Sequence, residues 1–93
     1  MRVRWSDKAK RDIRAIRNQR TAYSPLSADA LVKSLARRTL QLAEFPESGR
    51  IIPEFDNVYL REIIEQDFRI MYERFPDEVV IIAVLPGRMS LNN

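Results

Sequence analysis

The 93-residue chain has no cysteine and no histidine. Without thiols, disulfide frameworks, thiolate zinc sites and cysteine nucleophiles are excluded. Without imidazole, histidine metal ligands, Ser-His-Asp triads and histidine general bases go too. Any chemistry falls to carboxylates, Arg, Lys, Tyr or Ser, and no metal or cofactor is expected. No apolar run approaches the roughly 18 residues that a membrane span needs. The opening Met1-Arg2-Val3-Arg4-Trp5-Ser6 lacks the apolar stretch of a signal peptide. These absences point to a cytoplasmic protein with no membrane partner.

What is present is ordinary in total and uneven in distribution. Hydrophobic residues make up 45% and charged residues 31%, too apolar for disorder at a net charge of +3. A chain of this size buries roughly two thirds of its unfolded surface, so residues 1–93 are read as one domain. Residues 1–38 carry eleven Lys/Arg against three Asp/Glu, whereas residues 39–93 carry five against ten. Such asymmetry fits a basic face for nucleic acid or an acidic protein. Arginine outnumbers lysine thirteen to three, favouring planar, bidentate contacts with carboxylate or phosphate.

Alternation in Arg2-Val3-Arg4-Trp5 reads as a short strand with Val3 and Trp5 on one face. Ser6 is a candidate N-cap for a helix over 7–19, with Ala9, Ile13 and Ile16 as a narrow apolar seam among Lys and Arg. Ser27 is a candidate cap for a second helix over 28–44, ended by Phe45-Pro46. A loop over 47–57 leads to three strands, 58–64, 68–75 and 78–85, broken at Glu65-Gln66-Asp67 and Pro76-Asp77. The last strand is apolar on both faces, the pattern of a central strand. The expected class is α+β, ordered β-α-α-β-β-β, with a two-helix hairpin on one face of a small antiparallel-meander sheet.

A two-residue turn at Pro76-Asp77 sets Glu73 opposite Val80, Met71 opposite Ile82 and Arg69 opposite Val84. A three-residue turn at 65–67 sets Ile63 opposite Arg69 and Leu60 opposite Tyr72. Leu60, Ile64, Phe68, Ile70, Tyr72, Val79, Ile81, Ala83 and Leu85 then form the face beneath the helices, joined by Val3 and Trp5. Arg61, Ile63, Arg69, Met71, Val80, Ile82 and Val84 form the opposite face. Two helices cannot cover both sides, so this second face is expected to be an open apolar patch rimmed by arginine, suited to an acidic amphipathic segment.

Four stretches then carry a resemblance over nearly the whole chain: Val3-Arg4-Trp5-Ser6 with Ala9 and its basic helix; Leu42-Ala43-Glu44-Phe45-Pro46-Glu47-Ser48-Gly49-Arg50; Leu60-Arg61-Glu62-Ile63 leading to Phe68-Arg69-Ile70-Met71-Tyr72; and Ile81-Ile82-Ala83-Val84-Leu85-Pro86-Gly87-Arg88. In this order and spacing the chain resembles the RelE/ParE superfamily, the toxin half of type II toxin–antitoxin modules. The resemblance implies two helices on an antiparallel sheet and a cognate, ParD-like antitoxin whose acidic amphipathic C-terminal segment lies across the toxin. ParE-like members poison DNA gyrase, RelE-like members cleave mRNA on the ribosome, and some relatives are not toxic.

Cleavage by 2′-hydroxyl attack needs a proton acceptor, a proton donor for the leaving oxygen and cations for the phosphorane charge. Arg61, Arg69 and Arg88 can supply cations; Arg69 matches the arginine of the family's Tyr/His-Arg-Leu/Ile-Val-Tyr strand. The acid–base partner is missing, because histidine is absent and Arg-Met-Ser-Leu-Asn-Asn after Gly87 holds no tyrosine. Glu62 is assigned to the core-facing side, and Tyr72 likewise. The resemblance is therefore closest to the ParE branch, a gyrase inhibitor acting by binding, with Arg69 and Arg88 as target contacts and no catalytic residues. The alternatives are an endoribonuclease of the RelE type, a non-toxic relative, or a basic nucleic-acid-binding module.

Overall fold

The Arg-Val-Arg-Trp alternation forms β1 (Arg2–Trp5) in the computed structural model, which describes residues 1–88. Ser6 caps α1 (Asp7–Thr21); its hydroxyl oxygen accepts from the Ala9 amide at 3.1 Å, and Asp7 sits in the positive first turn. The second helix, α2 (Pro25–Thr39), starts earlier than its apolar spacing indicates, and its cap is Ser24 rather than Ser27. Ser24 accepts from the Ser27 amide at 3.2 Å. Pro25 explains the shift, because at the first helical position its missing N–H goes unneeded and its φ is preset. Beyond Thr39 the chain tightens into a 3-10 turn, Leu40–Ala43, which carries Leu42 into the core.

The strands β2 (Arg50–Ile51), β3 (Leu60–Glu65), β4 (Phe68–Arg74) and β5 (Glu78–Pro86) join β1 in one five-stranded sheet. Its order is β1-β5-β4-β3-β2. The sheet is mixed rather than a strict antiparallel meander: β1 runs parallel to β5, and the other three pairings are antiparallel. As its two-sided apolar pattern requires, β5 is internal, flanked by β1 and β4.

Register is where the structure departs most from expectation. The β3–β4 turn has two central residues, Gln66 and Asp67, with φ of 53° and 66°. Left-handed backbone at both positions matches the twist of a tight hairpin. Leu60 therefore faces Glu73 and Ile63 faces Ile70, one residue away from the expected pairs. Between β4 and β5 the expected pair Glu73–Val80 forms, and Tyr72 faces Ile81 beside it. A bulge then intervenes, so that Met71 faces Ala83 and Arg69 faces Leu85. At the bulge β1 has ended, and α1 satisfies the freed edge of β5. Ser6 Oγ donates to the Ile82 carbonyl at 3.4 Å, and Asp12 accepts from the Val84 amide at 2.9 Å.

A one-residue slip exchanges the two faces of a strand. Ile63 and Val84 accordingly enter the core under the helices, with Ala9, Ile16, Leu31, Leu35, Leu42, Ile70, Tyr72, Val79 and Ile81. Leu60, Ala83 and Leu85, expected there, belong to the far side with Met71. Neither Gln66 nor Asp67 favours left-handed backbone as glycine does. The double replacement Gln66→Asn with Asp67→Gly is expected to stabilise the protein by about 1 kcal/mol. A higher urea midpoint with unchanged slope is the expected reading.

Candidate functional site

Of the seven residues expected on the open face, Arg69, Met71, Val80 and Ile82 do turn away from the helices, whereas Ile63 and Val84 are core. Arg61 lies opposite Tyr72 on the helix side. It closes the turn before β2, donating from Nε to the Val58 carbonyl at 2.9 Å and from Nη1 to the Gly49 carbonyl at 2.9 Å. The far face is not open either. The chain after β2 brings Ile52 onto Met71 and Ala83, with Leu60, Ile82 and Leu85 packed at the margin. Met71 is 1% exposed and Val80 6%. The expected arginine-rimmed apolar patch is thus largely closed by the chain's own 52–56 segment and by its long charged side chains.

Arg69 is the centre of that closure. Its Nε donates to Glu62 Oε1 at 2.7 Å, and Nη1 and Nη2 donate to the two carboxylate oxygens of Glu54, each at 2.8 Å. Glu62 in turn accepts from Arg50 Nε at 2.7 Å. The chain Glu54–Arg69–Glu62–Arg50 is balanced in charge, and only Arg50 reaches solvent substantially. The hydrogen bonds that Arg69 donates to Glu54 hold its guanidinium above its already high pKa, against the opposing effect of burial. Glu62, placed on the core side by the expected register, lies on the far face and is engaged by two arginines. Its partner Glu54 escaped sequence reasoning because it sits in an irregular loop with no periodicity to aim it.

The buried Tyr72 hydroxyl accepts from the Gly49 amide at 3.0 Å. Burial raises the Tyr72 pKa, with the Gly49 bond and the Arg61 charge opposing it. With no exposed surface and its oxygen accepting from the Gly49 amide, the phenol is a structural group. Arg88 is exposed and lines a shallow cleft with Gln19, Arg20 and Gln66. The tail after Arg88, where a tyrosine was sought, lies outside the described residues apart from its sequence. Arg61 and Arg69 occupy opposite sides of the sheet, so the three arginines named for a phosphorane do not converge. Among the described residues, no three His, Cys, Asp or Glu side chains form a metal-ligand set, and no helix is long and apolar enough to cross a membrane.

A family model described as the ParE toxin of the type II toxin–antitoxin system parDE matches residues 3–91. Among solved structures, a chain of the chromosomal ParDE TA system from P. aeruginosa aligns with a TM-score of 0.79 and 20% sequence identity. The alignment covers 92% of this chain and 95% of that one, a likeness of fold. No curated protein matches.

Proposed function

Since the chain belongs to the ParE toxin family of type II toxin–antitoxin systems, we propose that it inhibits DNA gyrase by binding, in the cytoplasm, and is neutralised by a ParD-like antitoxin. The observation that carries the binding mode is the state of Arg69. A cation that stabilises a phosphorane must face the substrate with its charge uncompensated. Arg69 is 4% exposed and shared between Glu54 and Glu62, so its charge is spent inside the protein. Arg61 holds backbone carbonyls. Arg88 keeps its candidacy as a target contact, whereas Arg69 is reassigned from target and antitoxin contact to internal counter-ion.

The reading is tested with purified protein in a gyrase supercoiling assay beside in-vitro translation followed by primer extension. Blocked supercoiling or trapped cleavage complexes, with intact mRNA, is the expected outcome. Codon-specific mRNA cuts with unaffected gyrase would establish the RelE-type alternative instead.

A further inference from the structure

Each helix turns one side to the core and the opposite side to solvent. On α1 the core side carries Ala9, Ile13 and Ile16, and on α2 Ala28, Leu31 and Leu35. Helical spacing then puts Arg11 and Arg14 on the outer side of α1, with Lys10 at its margin, and Lys33 and Arg37 on the outer side of α2. All five are exposed. Both helices pack on one core, so these cations share the outer surface of the helical layer.

The charge of this surface is uncompensated. Residues 1–38 hold three carboxylates. Asp12 is engaged by Lys8 and the Val84 amide, Asp29 by Arg17, and Asp7 sits at the first turn of α1. Among the described residues no carboxylate pairs with Lys10, Arg11, Arg14, Lys33 or Arg37. The outer side of α1 also selects among anionic partners. A protein interface needs an apolar core, and between these cations α1 offers Ala15, Asn18 and Thr21. A single strand needs aromatic rings for its bases, and neither helix carries an aromatic residue. A duplex backbone needs neither. Lys10 and Arg14 stand about 6 Å apart along the helix axis, close to the roughly 6 Å width of a minor groove, so their long side chains can reach phosphates on both of its sides.

We infer that the outer face of the helical layer, centred on Lys10, Arg11 and Arg14, docks without sequence preference on the phosphate backbone of the DNA duplex that gyrase holds. The inference rests on the gyrase reading above and adds a second, nucleic-acid contact to it. Two readouts test it on the full-length chain: anisotropy of a short fluorescent duplex of mixed sequence, and gyrase supercoiling. Wild-type affinity for the duplex should fall roughly 500-fold between about 50 and 200 mM salt, a log–log slope of about −4.5 for five phosphate contacts. Lys10→Gln/Arg11→Gln/Arg14→Gln, all at exposed helical positions, should bring the slope to about −2 and raise the inhibitory concentration on gyrase roughly tenfold. The single variant Arg14→Gln should change the slope by about 1. Arg2→Gln/Arg4→Gln removes charge from the far face, where Arg4 lies beside Val80, and should behave as wild type. Circular dichroism establishes that each variant is folded. An unchanged slope or inhibitory concentration in the triple variant, equal losses in the far-face variant, or tighter binding to anionic phosphatidylserine vesicles than to the duplex overturns the DNA contact. Gyrase inhibition by wild type in those cases leaves the gyrase reading standing, whereas no inhibition by wild type overturns both.

Discussion

Arg69→Met is expected to cost about 3–5 kcal/mol of folding stability, because it leaves buried carboxylates without a cation. The side chains of Glu62 and Glu54 are 0% and 9% exposed, and each takes at least one charge-assisted hydrogen bond from Arg69. A domain of this size has only about 5–14 kcal/mol to lose, so the variant should sit near the edge of folding at 37 °C. Chemical denaturation checks the figure. Restoring balance with Glu54→Gln and Glu62→Gln in the same chain should recover most of the loss, since amides are far cheaper to bury than charges. Arg50, left alone in that background, is 61% exposed and keeps its hydration. An unchanged urea midpoint for the single variant would mean that Arg69 is not the counter-ion described.

The second large effect is expected at Gly49. A Cβ there would lie 2.6 Å from the Glu62 carbonyl oxygen and 2.8 Å from the Tyr72 hydroxyl. Neither neighbour can retreat cheaply: one is strand backbone, and the other is a fully buried ring whose hydroxyl is bonded to the Gly49 amide. Gly49→Ala must push β2 away from β3 or displace Tyr72. Overpacking of this kind costs about 1–3 kcal/mol, which for a domain of this length lowers the Tm by roughly 5–20 °C. The same movement disturbs the Arg61 clamp on the Gly49 carbonyl and the Arg50 contact to Glu62. A wild-type Tm would show that the turn has room that the geometry denies.

Local features were legible wherever one residue type dictates one geometry. Ser6 before a basic helix, alternation through β1 and the two-sided apolar run of β5 all settled as read, whereas the second helix ends at Thr39 and a 3-10 turn carries the chain to Ala43, short of Phe45-Pro46. Pro25 was a signal of the same kind, and its preference for the first helical turn outranks the apolar spacing that pointed to Ser27.

The site was less legible because it depends on register, and register hung on two unusual backbones. Gln66 and Asp67 adopt left-handed φ without a glycine to announce it, and the bulge at Ile82 has no composition cue. Each shifted the pairing by one residue. Together they moved Ile63 and Val84 from a supposed binding face into the core, and Leu60, Ala83 and Leu85 out of it. Closure of the far face depended on Glu54 and Ile52, whose loop carries no period to read. The cationic face of α1, by contrast, is composed of residues visible in the sequence: Lys10, Arg11 and Arg14 away from the seam of Ala9, Ile13 and Ile16. Which of its cations stay unpaired follows from where Asp12 and Asp29 turn, which spacing alone does not specify.

The most direct test of binding without an Arg69-dependent reaction uses the charge-balanced Arg69→Met/Glu54→Gln/Glu62→Gln protein in the gyrase supercoiling assay. Its fold is verified first by circular dichroism and by its denaturation midpoint. If Arg69 is an internal counter-ion, the folded variant inhibits supercoiling at the same concentration as wild type. Loss of inhibition in a protein that is demonstrably folded would contradict the account and return Arg69 to the functional site.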